Sequence, residues 1–132
     1  MTMDWFEITI PLSIDETDRA AREALADEGF GVVTEIDVAA NLKAKLDVDR
    51  PPLRILGACN PTFANRALEL DPAVALIMPC NVVLEPGDGG TRVRVVDPRA
   101  LIDDARFTPL AHEAAQKLRD ALENLAGAAR AH

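Results

Sequence analysis

The chain has 132 residues, 48% of them hydrophobic, with 22 acidic against 14 basic side chains for a net charge of −8. That length falls in the ~100–200 residue range of one domain, and the apolar content is enough for a core that needs neither disulfides nor a structural metal. The negative balance, one tryptophan and no tyrosine count against nucleic acid, whose phosphates such a chain repels and whose bases need aromatic platforms.

In chain order, residues 4–10 alternate, with Phe6, Ile8 and Ile10 on one side and Trp5, Glu7 and Thr9 on the other, the period-two mark of a strand with one buried face. Pro11 ends it. Ser13 and Glu16 have the spacing of a capping box, which opens a helix running to about Glu28 and stopped by Gly29. A second strand is predicted from Phe30, with Phe30, Val32, Thr34, Ile36 and Val38 opposed to Val33, Glu35 and Asp37. Ala39 to Leu46 follows as a short helix. A third strand covers Leu53 to Cys59, with Leu53, Ile55 and Cys59 opposed to Arg54 and Leu56.

Asn60-Pro61 is a helix start in compact form: asparagine caps, and proline at the first helical position gives up a donor that has no partner there. That helix runs to about Leu70 and breaks at Asp71-Pro72. Residues 77–85 and 91–96 read as strands joined by Pro86-Gly87-Asp88-Gly89-Gly90, a loop tolerant of positive φ, so they pair as an antiparallel hairpin. Thr108-Pro109 repeats the cap-plus-proline signal before a long helix with Ala111, Ala114 or Ala115, Leu118, Leu122, Leu125 and Ala129 on one face. The order β-α-β-(α)-β-α-β-β-α predicts a two-layer α+β fold in one domain, 1–132, a mixed or antiparallel sheet with helices on one face.

The apolar run Ala73 to Met78 stops at Pro79, far short of the ~20 residues that cross a bilayer. Met1-Thr2-Met3-Asp4-Trp5 has neither the basic nor the apolar region of a signal peptide. A cytoplasmic protein without membrane or nucleic-acid partners is the expectation.

Chemistry has few places to reside. The two cysteines stand in similar settings, Gly57-Ala58-Cys59-Asn60-Pro61 and Met78-Pro79-Cys80-Asn81-Val82. A free cysteine is most often a small buried hydrophobe, although Cys59 precedes a helix N-terminus, where a thiol ionises more easily. Asn60 is explained as a cap. No zinc-ligand spacing, nucleophile elbow or phosphate loop is present, His112 lies within the last helix and His132 ends the chain. Glu7, Glu35, Asp37, Arg54, Arg92 and Arg94 all occupy polar positions of strands. They are expected on the sheet face away from the helices, either as solvated cross-strand pairs or, beside Trp5, as a dimer seam or anion floor.

Gly29-Phe30-Gly31-Val32-Val33-Thr34-Glu35-Ile36-Asp37-Val38, then Leu42-Lys43-Ala44-Lys45-Leu46, Arg54-Ile55-Leu56-Gly57-Ala58-Cys59-Asn60-Pro61 and Met78-Pro79-Cys80-Asn81-Val82-Val83 together resemble the bacterial and archaeal proteins grouped as domain of unknown function 302. The resemblance implies a compact α+β fold, a homodimer and a role the family leaves unassigned; it carries over no catalytic residue.

The leading expectation is a non-enzymatic homodimer that binds a small ligand or a partner protein, with no cofactor. Its ligand-binding candidates are Cys59, Asn60, Cys80 and Asn81, with Glu35, Lys43, Lys45 and Arg54 as polar contributors. One alternative is an enzyme using Cys59 as nucleophile or redox thiol, for which His112 would have to be brought beside it. A second is haem or metal binding through cysteine and histidine.

Overall fold

The computed structural model describes residues 4–130. The N-terminal alternation becomes strand β1, Trp5–Ile10. Ser13 and Glu16 then close a reciprocal cap, the Glu16 N–H donating to Ser13 Oγ at 3.1 Å and the Ser13 N–H to Glu16 Oε1 at 3.2 Å. Two N–H groups that the first turn leaves over are thereby satisfied, and helix α1 runs over Ile14–Asp27. Gly29, at φ 86°, supplies the left-handed residue that ends it.

Strand β2 (Gly31–Asp37) leads into helix α2 (Val38–Leu46), capped by the Asp37 carboxylate, which accepts from the Ala40 N–H at 2.9 Å. None of the α2 side chains is buried. Strand β3 (Arg54–Cys59) and helix α3 (Pro61–Leu70) follow the predicted boundaries within a residue. Strands β4 (Cys80–Gly87) and β5 (Gly90–Val96) form the predicted hairpin, but β4 starts three residues later than predicted, because Ile77 ends a 3-10 turn, and runs through Pro86 and Gly87 of the predicted loop; helix α4 spans Thr108–Arg130.

Three 3-10 segments, Pro72–Ile77, Pro98–Ala100 and Ala105–Phe107, lie outside the sequence-based expectation. Each starts from an aspartate, Asp71, Asp97 or Asp104, whose side chain accepts from a backbone N–H two residues on, a local turn chemistry that hydrophobic periodicity does not register. One of them revises the start of α4. Thr108 is itself helical, at φ −52° and ψ −50°, and continues directly from the 3-10 turn capped by Asp104. Thr108 therefore does not cap the helix.

The sheet is ordered β1-β5-β4-β3-β2 and every pairing is antiparallel. Its inward face carries Ile10, Leu56, Val82, Leu84, Val93 and Val95, closed over by Ala21, Ala24 and Leu25 of α1 and by Leu118, Ala121, Leu122 and Leu125 of α4. Leu56, Leu84 and Val93 are fully buried. A second, smaller cluster of Ala67, Val74, Phe107 and Leu110 joins α3, two of the 3-10 segments and the start of α4.

The second strand departs from simple alternation. An extra residue shifts the register between Val32 and Thr34, and such a bulge exchanges the faces of everything beyond it. Val32 packs toward the core, whereas Glu35 and Asp37 stand opposite Leu56 and Arg54, on the helix side. Glu35, Asp37 and Arg54 thus do not line the uncovered face as expected. Arg54 instead donates to Asp18 Oδ2 at 2.8 Å and Asp15 Oδ1 at 3.0 Å of α1, and Arg22 reaches Glu35 at 3.2 Å. The uncovered face does hold Glu7, Arg92 and Arg94, joined by Glu85, which accepts from both arginines.

Candidate functional site

Pairing of β3 with β4 places Ala58 opposite Cys80, so the two cysteine-bearing motifs of the sequence end side by side. Both cysteines are free and half-buried. With Asn60 they border a cavity of about 100 Å³ whose walls are otherwise apolar. Phe30, Ala58 and Cys80 enter from the main core; Ala67, Val74, Phe107 and Leu110 enter from the second cluster. The cavity is the seam between the two clusters, where the strand ends and α3 diverge. Burial, and to a smaller extent Cys59 beside it, pushes the Cys80 thiol up from its usual value.

Asn60 does the work of a cap: its Oδ1 accepts from the Thr62 and Phe63 N–H groups at 3.1 and 3.3 Å, and its Nδ2 donates to the Glu28 carbonyl at 3.3 Å. It fastens the end of α1 to the start of α3, and so fixes one wall of the cavity. Asn60→Ala is expected to cost about 1 kcal/mol in urea unfolding, the usual loss for a cap; an unchanged midpoint would contradict the assignment.

The remaining candidates are not drawn to this cavity. Asn81 is exposed and borders a shallow groove of about 650 Å³ on the uncovered face, with Trp5, Leu76, Ile77, Val83 and Arg94. Lys43 pairs with Asp47 at 2.8 Å and Asp49 at 3.1 Å beyond the end of α2, and Lys45 is exposed on the same helix. Glu35 and Arg54 belong to the ion-pair network with α1. In that network burial pushes the Asp18 carboxyl up, but hydrogen bonds from Arg22 and Arg54 outweigh it and hold the carboxyl below its usual value.

Burial pushes the Asp97 carboxyl up, but hydrogen bonds from Arg99 outweigh it and hold the carboxyl below its usual value, with His112 a minor contributor; His112 is absent from the cavity walls. His132 lies outside the described residues. Among the described residues no three His, Cys, Asp or Glu side chains gather as a metal site, and no helix is long and apolar enough to cross a membrane.

Sequence reasoning found Cys59, Asn60 and Cys80 but missed the walls, chiefly Phe63, Met78, Phe107 and Leu110. The available signal was the apolar run Ala73 to Met78, whose end alternation assigns to a strand although the structure turns it into a 3-10 segment.

A family model described as domain of unknown function DUF302 matches residues 6–125. Among solved structures, the crystal structure of an uncharacterized conserved protein DUF302 from Bacillus stearothermophilus is 27% identical and superposes with a TM-score of 0.87, covering 94% of this chain and 99% of that one. No curated protein matches the chain. With nearly its whole length matched by the family model and the architecture shared with that crystal structure, the chain belongs to the DUF302 family.

Proposed function

We propose that this protein is a small-ligand-binding module rather than an enzyme, that its ligand site is the cavity bordered by Cys59, Asn60 and Cys80, and that it works as a homodimer. The observation that carries the first two parts is the make-up of the cavity wall: apolar side chains throughout, with the thiols and one amide as the polar groups. An apolar recess of this order favours small apolar molecules over water. Nucleophilic chemistry at Cys59 would instead need a base within hydrogen-bond reach, and apart from the two cysteines nothing lining the cavity titrates.

Benzene is a suitable probe. Added to ¹⁵N-labelled protein, it is expected to shift the amides of Ala58, Cys80 and Ala111 saturably, and Ala114→Phe, which fills the space, to remove the response while leaving the fold intact. Amides that do not move at saturating benzene would sink the ligand-binding reading.

The dimer rests on the uncovered sheet face. Trp5 is 50% and Ile36 43% exposed there, and the groove beside Trp5 is walled by Leu76, Ile77 and Val83. A face of this kind is commonly closed by a second copy about a two-fold axis. Sedimentation at micromolar concentration is expected to report twice the chain mass and Trp5→Glu to shift it toward the monomer; a wild-type chain that sediments as a monomer would remove this part.

A further inference from the structure

The chain has four phenylalanines, and three of them, Phe30, Phe63 and Phe107, border this cavity. They stand far apart in sequence, Phe30 just before β2, Phe63 in the first turn of α3 and Phe107 at the end of the last 3-10 segment. Met78 stands in the same wall. We infer that the cavity takes a neutral molecule with a single aromatic ring, in preference to a saturated or charged compound of the same size.

The wall selects the ring. Aromatic rings meet at centroid separations of ~4.5–7 Å, inclined or offset, and each such pair contributes beyond the area it buries. Phe30 and Phe63 already form one, 6.4 Å apart and tilted by 58°, and a ring entering beside them and Phe107 adds further pairs of the same kind. A saturated ring buries as much surface and gains none of this. Thioether sulfur also favours contact with an aromatic ring, and Met78 is unbranched and flexible enough to adjust to one. Charge of either sign is disfavoured. Apart from the two cysteines no side chain in the wall titrates, so an ion would give up its hydration with no opposite charge to meet. Arg66 and Arg106 lie over the rings of Phe63 and Phe107, like charge for a cation, yet they offer an anion little, being paired with Glu113 and with Asp71 and Asp104. At about 100 Å³ the space is of the order of the ~150 Å³ cavity that takes up benzene, which suits one ring rather than two.

The inference rests on the cavity being the ligand site, and the two fail in different ways. Phenol and cyclohexanol have the same carbon count and one hydroxyl each, are both neutral near neutral pH, and differ in the ring. Titrated into ¹⁵N-labelled full-length protein and followed at the amides of Ala58, Cys80 and Ala111, phenol is expected to bind about tenfold more tightly, a ratio that one or two aromatic pairs supply. Phe63→Leu should bring that ratio down about threefold, whereas Phe6→Leu, whose ring lies outside the cavity wall, should leave it unchanged. Benzoate should shift none of these amides. Circular dichroism checks that each variant is folded; should Phe63→Leu not fold, Met78→Leu carries the test, with a fall of about twofold expected. Equal affinity for phenol and cyclohexanol while benzene still binds would overturn the aromatic preference and leave the cavity reading standing. An undiminished ratio in the folded variant, or benzoate binding as tightly as phenol, would overturn it as well. Loss of every response, benzene included, would remove the ligand site altogether.

Discussion

Gly90→Ala is expected to destabilise the protein by about 3 kcal/mol, the upper part of the ~1–3 kcal/mol range for overpacking a close-fitted interior. A Cβ at Gly90 would overlap the Ile10 carbonyl oxygen and press on Cα of Pro11. Those are backbone atoms, so relief requires moving the end of β1 away from β5 and giving up part of their ladder. Gly31→Ala is the natural control, because a Cβ there meets nothing within 4 Å, and its effect should be small. Urea unfolding of the two variants side by side decides the matter: equal midpoints would mean that β1 is far less tightly held than its register implies.

The second large effect is expected at Asp18, which is 6% exposed and accepts from Arg22 at 2.5 Å and from Arg54 at 2.8 Å. Asp18→Asn leaves both guanidinium groups short of their partner beneath α1. The loss should be about 2 kcal/mol, below the ~3–5 kcal/mol for a fully buried pair because Arg22 stays partly in water. The pH dependence follows from the sign of the shift. The folded carboxyl titrates below its usual 3.8, so its contribution is complete above that value and disappears as pH falls through the lower folded one. The gap between wild type and variant should therefore be full near neutrality and close in acid. A gap that widened toward low pH would show that the arginines do not stabilise the charged form.

Much of this architecture was legible from local chemistry. Ser13 with Glu16, and Asn60 with Pro61, announce helix starts through groups that must find partners wherever the chain is placed, and both appear where read. Gly89, at φ 77° between β4 and β5, announces the hairpin through the backbone freedom that its turn requires. What was not legible depended on distance or on one extra residue. Alternation along β2 assigns Glu35 to the uncovered face, and only pairing with β3 reveals the bulge at Val33 that turns it toward Arg22. Arg54 was misplaced for a related reason: an arginine among Leu56 and Ala58 looks outward until the aspartates of α1 are brought above it. At the candidate site, Cys59, Asn60 and Cys80 stood out as unusual residues in matching contexts, whereas Phe63, Phe107 and Leu110 look like any core residue. That they surround a space instead of filling it is a property of two clusters meeting, which no segment of the chain carries by itself.

The sheet order also bears on how the protein is made. Of the five strands β1 is synthesised before the others, yet in this sheet its pairing partner is β5, with Trp5 opposite Val96 and Ile10 opposite Thr91. During synthesis Phe6, Ile8 and Ile10 have no ladder to join until the residues from Gly90 onward have emerged. Closing so long a loop is slow, and an unpaired apolar strand is the kind of segment on which nascent chains aggregate.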